Sequence, residues 1–166
     1  FPLVTFLPTL AGDVLGTGAA GYSLLLTSLG VGAIVGALTT AQRGSVPGRG
    51  RLTLLHLVAV GLVTIGAVFS LWQWLSMLLL VGSGYTLTTA LSTLSSLVQE
   101  HTPDELRGRV MSIFGLAFRG GLPVGSLVGG LFVRQAGVAA VLGVSCAALV
   151  AMAGLLLLRH RDLRTL

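Results

Sequence analysis

Acidic side chains cluster at one place in this sequence, between residues 100 and 105. Glu100, His101, Asp104 and Glu105 stand close enough there to bind a metal ion or to perform acid–base catalysis. A complete coordination shell would need a second cluster, and the sequence offers none. Neighbouring arginines partly match these acids. The spacing therefore ranks a metal site and a membrane-embedded enzyme below an ordinary charged loop, and no cofactor is expected.

Arg119 stands alone inside an apolar run. It follows Arg109 by ten positions, which is about 15 Å along a helix and close to mid-depth in a bilayer. A guanidinium there costs a few kcal/mol, so it should face protein or water. Pro123 lies one turn further on and predicts a kink. The pattern predicts a substrate or gate site at Arg119 and Pro123; the alternative is an arginine that binds carbonyls freed by the kink or reaches back to water.

A polar stripe follows a 4-3-4-3 spacing, which places its members on one face of a helix. A lipid-facing helix has no use for such a stripe, so it should face a neighbouring helix or a wet cavity. Interhelical hydrogen bonding and cavity lining both stay open. The members are Tyr85, Thr89, Ser92, Ser96 and Gln99.

Two further polar residues are weaker candidates. His56 lies about one turn inside an apolar run and is either a packed interfacial histidine or a proton carrier. Asp13 lies in a glycine-containing stretch, residues 11–18, which predicts a connection where it is solvated or caps a helix.

Composition sets the class to which these residues belong. Of 166 residues, 54% are hydrophobic and 9% charged, whereas soluble domains carry about 25% charged residues. A chain of this length has too little interior to bury so much apolar surface. We expect an all-α integral membrane protein, residues 1–166 forming one transmembrane domain. The arginines lie between apolar runs, which favours an orientation signal over nucleic-acid binding.

The apolar runs predict five full spans and one truncated span. Residues 1–10 are too short to cross a bilayer, which needs about 20 residues, and they predict the end of a span. The full spans are expected at 19–41, 52–70, 76–99, 110–133 and 138–158. Short turns are expected at 71–74 and 134–137, and the segment 42–51 predicts a loop.

The segment 102–111 predicts a hinge before the fourth full span. Thr102 is expected to cap that helix, Pro103 to occupy its first position and Glu105 to reach back to the cap. Asp104 suits the positive end of the helix dipole.

Glycines spaced four apart predict close helix packing. Gly32 and Gly36 share a face of the first full span. A longer series, Gly121, Gly125 and Gly129, predicts a smooth groove on the fourth.

Arginine placement predicts orientation. Alternating spans put eight of the ten arginines on the side that holds 42–51, the hinge and the tail, and there is no lysine. The positive-inside rule makes that side, and the C-terminus, cytoplasmic.

The segments Thr102-Pro-Asp-Glu-Leu-Arg-Gly-Arg-Val-Met-Ser112 and Phe118-Arg-Gly-Gly-Leu-Pro-Val-Gly-Ser-Leu-Val-Gly-Gly130 resemble the major facilitator superfamily. Asp13-Val-Leu-Gly16 and Gly30–Leu38 add to this. Nearly the whole chain is similar to the C-terminal half of such a transporter, especially bacterial exporters of the enterobactin-exporter and drug-efflux type.

The resemblance implies a proton-coupled exporter of a small molecule in the bacterial inner membrane. It implies two six-helix halves, the N-terminal one absent from this sequence, with substrate bound between them. It implies that Arg107 and Arg109, with Asp104 or Glu105, help to latch the cytoplasmic side, within a loop motif that also holds Pro103 and Gly108. Arg119, Tyr85, Thr89 and Ser92 become candidates for the cavity or gate. A small membrane scaffold remains the alternative from another functional class.

Overall fold

Long apolar helices account for nearly all of the chain. The computed structural model describes residues 3–44 and 48–159, and every regular element in those ranges is helical. The helices are α1 (Leu3–Thr9), α2 (Gly18–Arg43), α3 (Arg49–Phe69), α4 (Gln73–Glu100), α5 (Asp104–Ala136) and α6 (Val138–Arg159). The helices α2 to α6 are each long and apolar enough to cross a membrane. The expected all-α membrane fold is confirmed.

The helices extend beyond most of the apolar runs. Each full span expected from hydropathy lies inside its helix, except that α3 ends at Phe69, one residue early. Helices α4 and α5 continue for several residues beyond the runs, because backbone hydrogen bonding does not stop where hydrocarbon does. The basic tail from His160 onward, residues 45–47 and the first two residues lie outside the described ranges.

The connection expected at 11–18 is wrong for its first half. After α1 the chain continues as a π-helical turn, Leu10–Val14, in which the Leu15 N–H donates to the Leu10 carbonyl at 3.1 Å. Pro8 lies inside α1 and cannot donate to the carbonyl four residues earlier. A wider turn directly follows this proline. Asp13 is exposed within it, so only residues 15–17 form the connection.

The expected N-cap at Thr102 is also wrong. Helix α5 begins at Asp104, no side chain caps it, and Pro103 has an extended backbone (φ −54°, ψ 145°). The Thr102 hydroxyl instead donates to the Val98 carbonyl in the last turn of α4. Threonine side chains can make this back-bond to the preceding turn, which competes with N-capping. Residues 104–109 are therefore the first turns of α5, and the hinge is only residues 101–103.

Glycines allow α2 and α4 to touch along their backbones. A Cβ atom on Gly32 would overlap the Val81 carbonyl oxygen, and one on Gly36 would lie 2.6 Å from the Tyr85 carbonyl oxygen. Gly84 does the same in return, against the carbonyl of Leu29. The α2–α4 pair is thus packed more closely than larger side chains would permit.

Helix α4 also packs against α3, through buried polar contacts. The hydroxyls of Thr64 and Ser83 are 2.7 Å apart, and both are fully buried. Ser76 donates to the Ala67 carbonyl at 3.1 Å. Helix α6 covers the other side of α3, where Gly61 meets Val150. These four helices, α2, α4, α3 and α6, form a continuous layer.

Helix α5 is the exception to this close packing. Of its residues, only Gly129 is buried. It contacts α6, α4 and, through the 3.0 Å hydrogen bond between Ser126 and Thr5, α1. The helix runs unbroken past Pro123 to Ala136, and the chain reverses at Gly137 alone, whose φ of 81° suits glycine. The turn expected at 134–137 is therefore shorter than predicted.

Candidate functional site

The polar stripe of α4 divides into two parts that meet different neighbours. Tyr85 lies beside His56 of α3, with ring centroids 6.2 Å apart. Thr89 is buried against α2, where a Cβ on Gly36 would lie 3.2 Å from its hydroxyl. That hydroxyl has no hydrogen-bond partner among the described residues. This half of the stripe faces packed helices.

The second part of the stripe lines a cavity of about 440 Å³ between α4 and α5. Helix α4 contributes four polar side chains, and α5 contributes two aromatic rings one turn apart. Among the described residues, the stripe's interhelical hydrogen bonding is confined to Ser96, whose hydroxyl accepts from Arg49 of α3, so its second part is better described as cavity lining. The cavity is lined by Leu91, Ser92, Ser95, Ser96, Gln99, Phe114 and Phe118.

A second cavity of about 330 Å³ adjoins the first and is wholly apolar in its side chains. Its walls come from four helices, α1, α2, α4 and α5. Phe118 lines both cavities, so its ring stands at their junction. The lining residues are Leu3, Val4, Leu29, Leu87, Ala117, Phe118, Gly121 and Leu122.

Sequence reasoning missed Phe114, Phe118 and Ser95 as lining residues. The signal for the two phenylalanines was present, because residues four apart share a helix face. Nothing in the sequence, however, indicated that this face of α5 meets α4.

An ion pair stands at the polar end of the first cavity. The Arg49 guanidinium lies 3.3 Å from the Glu100 carboxylate and also donates to the Ser96 hydroxyl at 3.4 Å. The Arg49 side chain is 11% exposed, against 55% for Glu100. The pair ties the start of α3 to the end of α4. Because its members are far apart in sequence, sequence reasoning did not find it.

The charged motif at the start of α5 stays within its own helix. Arg107 pairs with Asp104 one turn earlier at 2.6 Å, and both side chains are well exposed. Pro103, Glu105, Gly108 and Arg109 are exposed as well. In the described ranges, the latch residues therefore contact no other helix through an ion pair.

Arg119 lies on an exposed face of α5 and outside both cavities. Its guanidinium makes no hydrogen bond or ion pair with any residue in ranges 3–44 and 48–159. The exposed residues Gly108 and Ser112 share this face at multiples of about one helical turn. Gly115 and Ser126 on the same face are half-buried, and Ser126 contacts Thr5 of α1. Pro123 is exposed near this face. The structure therefore does not bring Arg119 together with Tyr85, Thr89 and Ser92.

The glycine groove predicted on α5 is occupied at one end only. A Cβ on Gly129 would lie 2.9 Å from the Phe6 ring, whereas one on Gly121 would meet nothing within 4 Å. Gly125 is half-buried.

The two histidines, His56 and His101, make local contacts. The ring nitrogens Nδ1 of His56 and His101 lie 2.8 Å and 3.0 Å from carbonyls one turn earlier in their own helices. In the part of the chain that the structure describes, no group of three histidine, cysteine or acidic residues is arranged to hold a metal ion.

Comparison with known proteins assigns the family. Residues 2–165, nearly the whole chain, match the family described as transmembrane secretion effectors, which is of the major facilitator type. No curated protein and no solved structure shows a significant match. This match carries no finer subtype. Together with five membrane-length helices, it shows that the chain is a multi-pass membrane protein that belongs to the transmembrane secretion effector family of the major facilitator type.

Proposed function

We propose that this chain forms the C-terminal half of a secondary active exporter that moves a small, drug-like or siderophore-like molecule by alternating access. Transport is driven by the proton gradient across the bacterial inner membrane. The observation that carries the proposal is the family match, because its description names secretion across a membrane.

The polar cavity between α4 and α5 supports a transport role. A membrane bundle whose task is only structural has no need for a hydroxyl-lined cavity of this size, since unsatisfied polar groups are costly in hydrocarbon. Small-molecule sites typically enclose about 300–1,000 Å³. The cavity lies at the Arg-rich end of the bundle, which on the positive-inside rule faces the cytoplasm and thus the source of an exported substrate.

The weak packing of α5 supports a missing partner half. Its exposed face carries Arg119, and a charge at mid-depth is costly in lipid. A second six-helix half placed against this face would give Arg119 a protein or water environment. The central pathway then runs between that half and α5, with Arg119 and Pro123 as gate residues.

Inverted membrane vesicles that hold the full-length gene product test the proposal. A catecholate siderophore and a panel of fluorescent lipophilic dyes serve as probes, and their uptake is followed after an acid-inside proton gradient is imposed. We expect uptake of at least one probe, abolished by a protonophore and absent from empty vesicles. Uptake that persists without the gradient would refute proton coupling, and no uptake of any probe would refute the proposed substrate classes.

A further inference from the structure

The cleft between α4 and α5 changes in chemistry along its length. Its outer cavity carries three serine hydroxyls and the Gln99 amide, while the adjoining inner chamber is lined by aliphatic and aromatic side chains. Because Phe118 lines both, a molecule that lies beside this ring touches a polar wall on one side and an apolar chamber on the other.

The polar end of the cleft has no uncompensated charge in its lining. The lining residues are neutral, and Arg49, which contacts the lining residue Ser96, is already paired with Glu100. Gln99 donates to the carbonyl and hydroxyl of Ser95 at 3.1 Å and 3.2 Å. A charged group placed here would meet a cation and a carboxylate that already neutralise each other, so it would gain little net electrostatic attraction from them. A hydroxyl, amide or ester would find hydrogen-bonding partners.

The inner chamber favours apolar groups of a ligand. Its volume of about 330 Å³ extends between α1, α2, α4 and α5, and none of its side chains can hydrogen-bond. Such a site favours a hydrocarbon or aromatic body through removal of apolar surface from water.

We propose that the α4–α5 cleft binds an amphiphile with an uncharged, hydrogen-bonding head and an apolar body. The head contacts Ser92, Ser96 and Gln99, and the body passes Phe118 into the inner chamber. This deepens the proposed function, on which it rests only for the claim that the amphiphile is the transported substrate. A neutral membrane lipid shares the same chemistry, and the experiment separates the two sources.

Photolabelling of the full-length gene product in proteoliposomes tests the site. The probe is a monoacylglycerol with a diazirine in its acyl chain, compared with two probes of the same chain that carry a trimethylammonium or a phosphate head. We expect the neutral probe to label residues 87–99 and 114–122 several-fold more than either charged probe. Equal labelling by all three probes would overturn the proposal.

Two phenylalanines of α5 supply a matched pair of variants. Phe118 and Phe132 are 51% and 55% exposed, but Phe132 lines an apolar groove between α5 and α6 instead of the cleft. Phe118→Trp narrows the junction and should reduce labelling of the cleft several-fold, whereas Phe132→Trp should leave it unchanged. We expect all three probes to label the α5–α6 groove equally. Unchanged labelling in Phe118→Trp would contradict the assignment.

A less disruptive variant keeps the proposal testable if Phe118→Trp fails to fold. The double change Ser92→Ala with Ser96→Ala removes two hydroxyls without adding bulk, and it should lower the preference for the neutral head while overall labelling persists. A preference equal to that of the unaltered protein would overturn the role of these hydroxyls.

Proton-driven uptake of the same monoacylglycerol separates the two sources. Labelling with uptake identifies a transported substrate, and labelling without uptake identifies a bound lipid; both support the cleft. Absence of labelling in a protein that still transports a dye or siderophore overturns the cleft and leaves the proposed function standing.

Discussion

At the scale of single residues, the ion pair of Arg49 and Glu100 is asymmetric, because the arginine is far more buried than its partner. Loss of an exposed pair changes stability by about 0.2–1 kcal/mol, whereas a desolvated charge left alone costs more. We predict that Glu100→Gln lowers the thermal unfolding midpoint in detergent and slows transport. Adding Arg49→Gln should restore part of the midpoint, because it removes the orphaned charge.

The second ion pair of the same region is the control. Asp104 and Arg107 are 85% and 47% exposed and lie one turn apart in α5, so Asp104→Asn should leave the unfolding midpoint almost unchanged. Equal losses of stability in Asp104→Asn and Glu100→Gln, or additive losses in the Arg49/Glu100 double variant, would contradict the prediction.

Arg119 is the second single residue whose replacement should have a measurable effect. Its position in the apolar run is unfavourable by a few kcal/mol unless protein or water receives it, so replacement by glutamine should not impair insertion. We predict that Arg119→Gln leaves the amount of membrane-inserted protein unchanged and reduces transport about tenfold, a loss of about 1.4 kcal/mol in transition-state stabilisation.

Arg134 near the end of the same helix is the matched control for Arg119, since it is also exposed but stands outside the predicted span. Arg134→Gln should transport normally. Normal transport by Arg119→Gln as well would assign Arg119 a structural role or none.

At the scale of helices, the glycine contacts of α2 with α4 control how closely the two can approach. Gly32→Ala would place a methyl group on the Val81 carbonyl oxygen, and backbone atoms cannot move aside without separating the helices. We predict a destabilisation of about 1–3 kcal/mol, as for overpacked cores, measured by SDS titration of the reconstituted protein.

Gly30→Ala on the same helix is the control, because its Cβ would meet nothing within 4 Å. It should be neutral or stabilising by up to about 1 kcal/mol through helix propensity. The close-packing interpretation fails if the two variants unfold at the same SDS concentration.

The existence of the helices was predictable from sequence, and their ends were less so. Hydropathy reports where hydrocarbon surrounds the chain, and it therefore located all five long helices. It is silent about local hydrogen bonds, such as the Thr102 back-bond that moved the start of α5 to Asp104. Hydropathy did not predict the π-helical turn after Pro8 for the same reason.

The candidate site was only half predictable. Spacing alone placed Ser92, Ser96 and Gln99 on one face of α4. Which helix that face meets depends on the rotation of each helix about its axis, and no single-helix pattern contains this rotation. The contributions of Phe114 and Phe118, and the pairing of Arg49 with Glu100, required the packed structure.

At the scale of the whole molecule, apolar surface is distributed unevenly. Helices α2, α3, α4 and α6 pack as a layer, while most large side chains of α5 are exposed, including Leu116, Leu127 and Leu131 at more than 70%. Lipid hydrocarbon can cover such residues, but it offers no hydrogen-bond acceptor or counter-ion to the guanidinium of Arg119 on a neighbouring face. Under the proposed function, that face is where the other half binds.

The orientation in the membrane is a prediction about the whole molecule that two single cysteines can test. Leu71 (81% exposed) lies between α3 and α4, and His101 lies in the hinge at the opposite end of α4, near the arginines in the first turns of α5. The native Cys146 is fully buried and is replaced by alanine in both variants. Because the positive-inside rule places the arginines in the cytoplasm, a membrane-impermeant maleimide should label Leu71→Cys in intact spheroplasts. His101→Cys should react only after lysis. The opposite pattern would invert the topology and, with it, the end from which substrate enters the α4–α5 cleft.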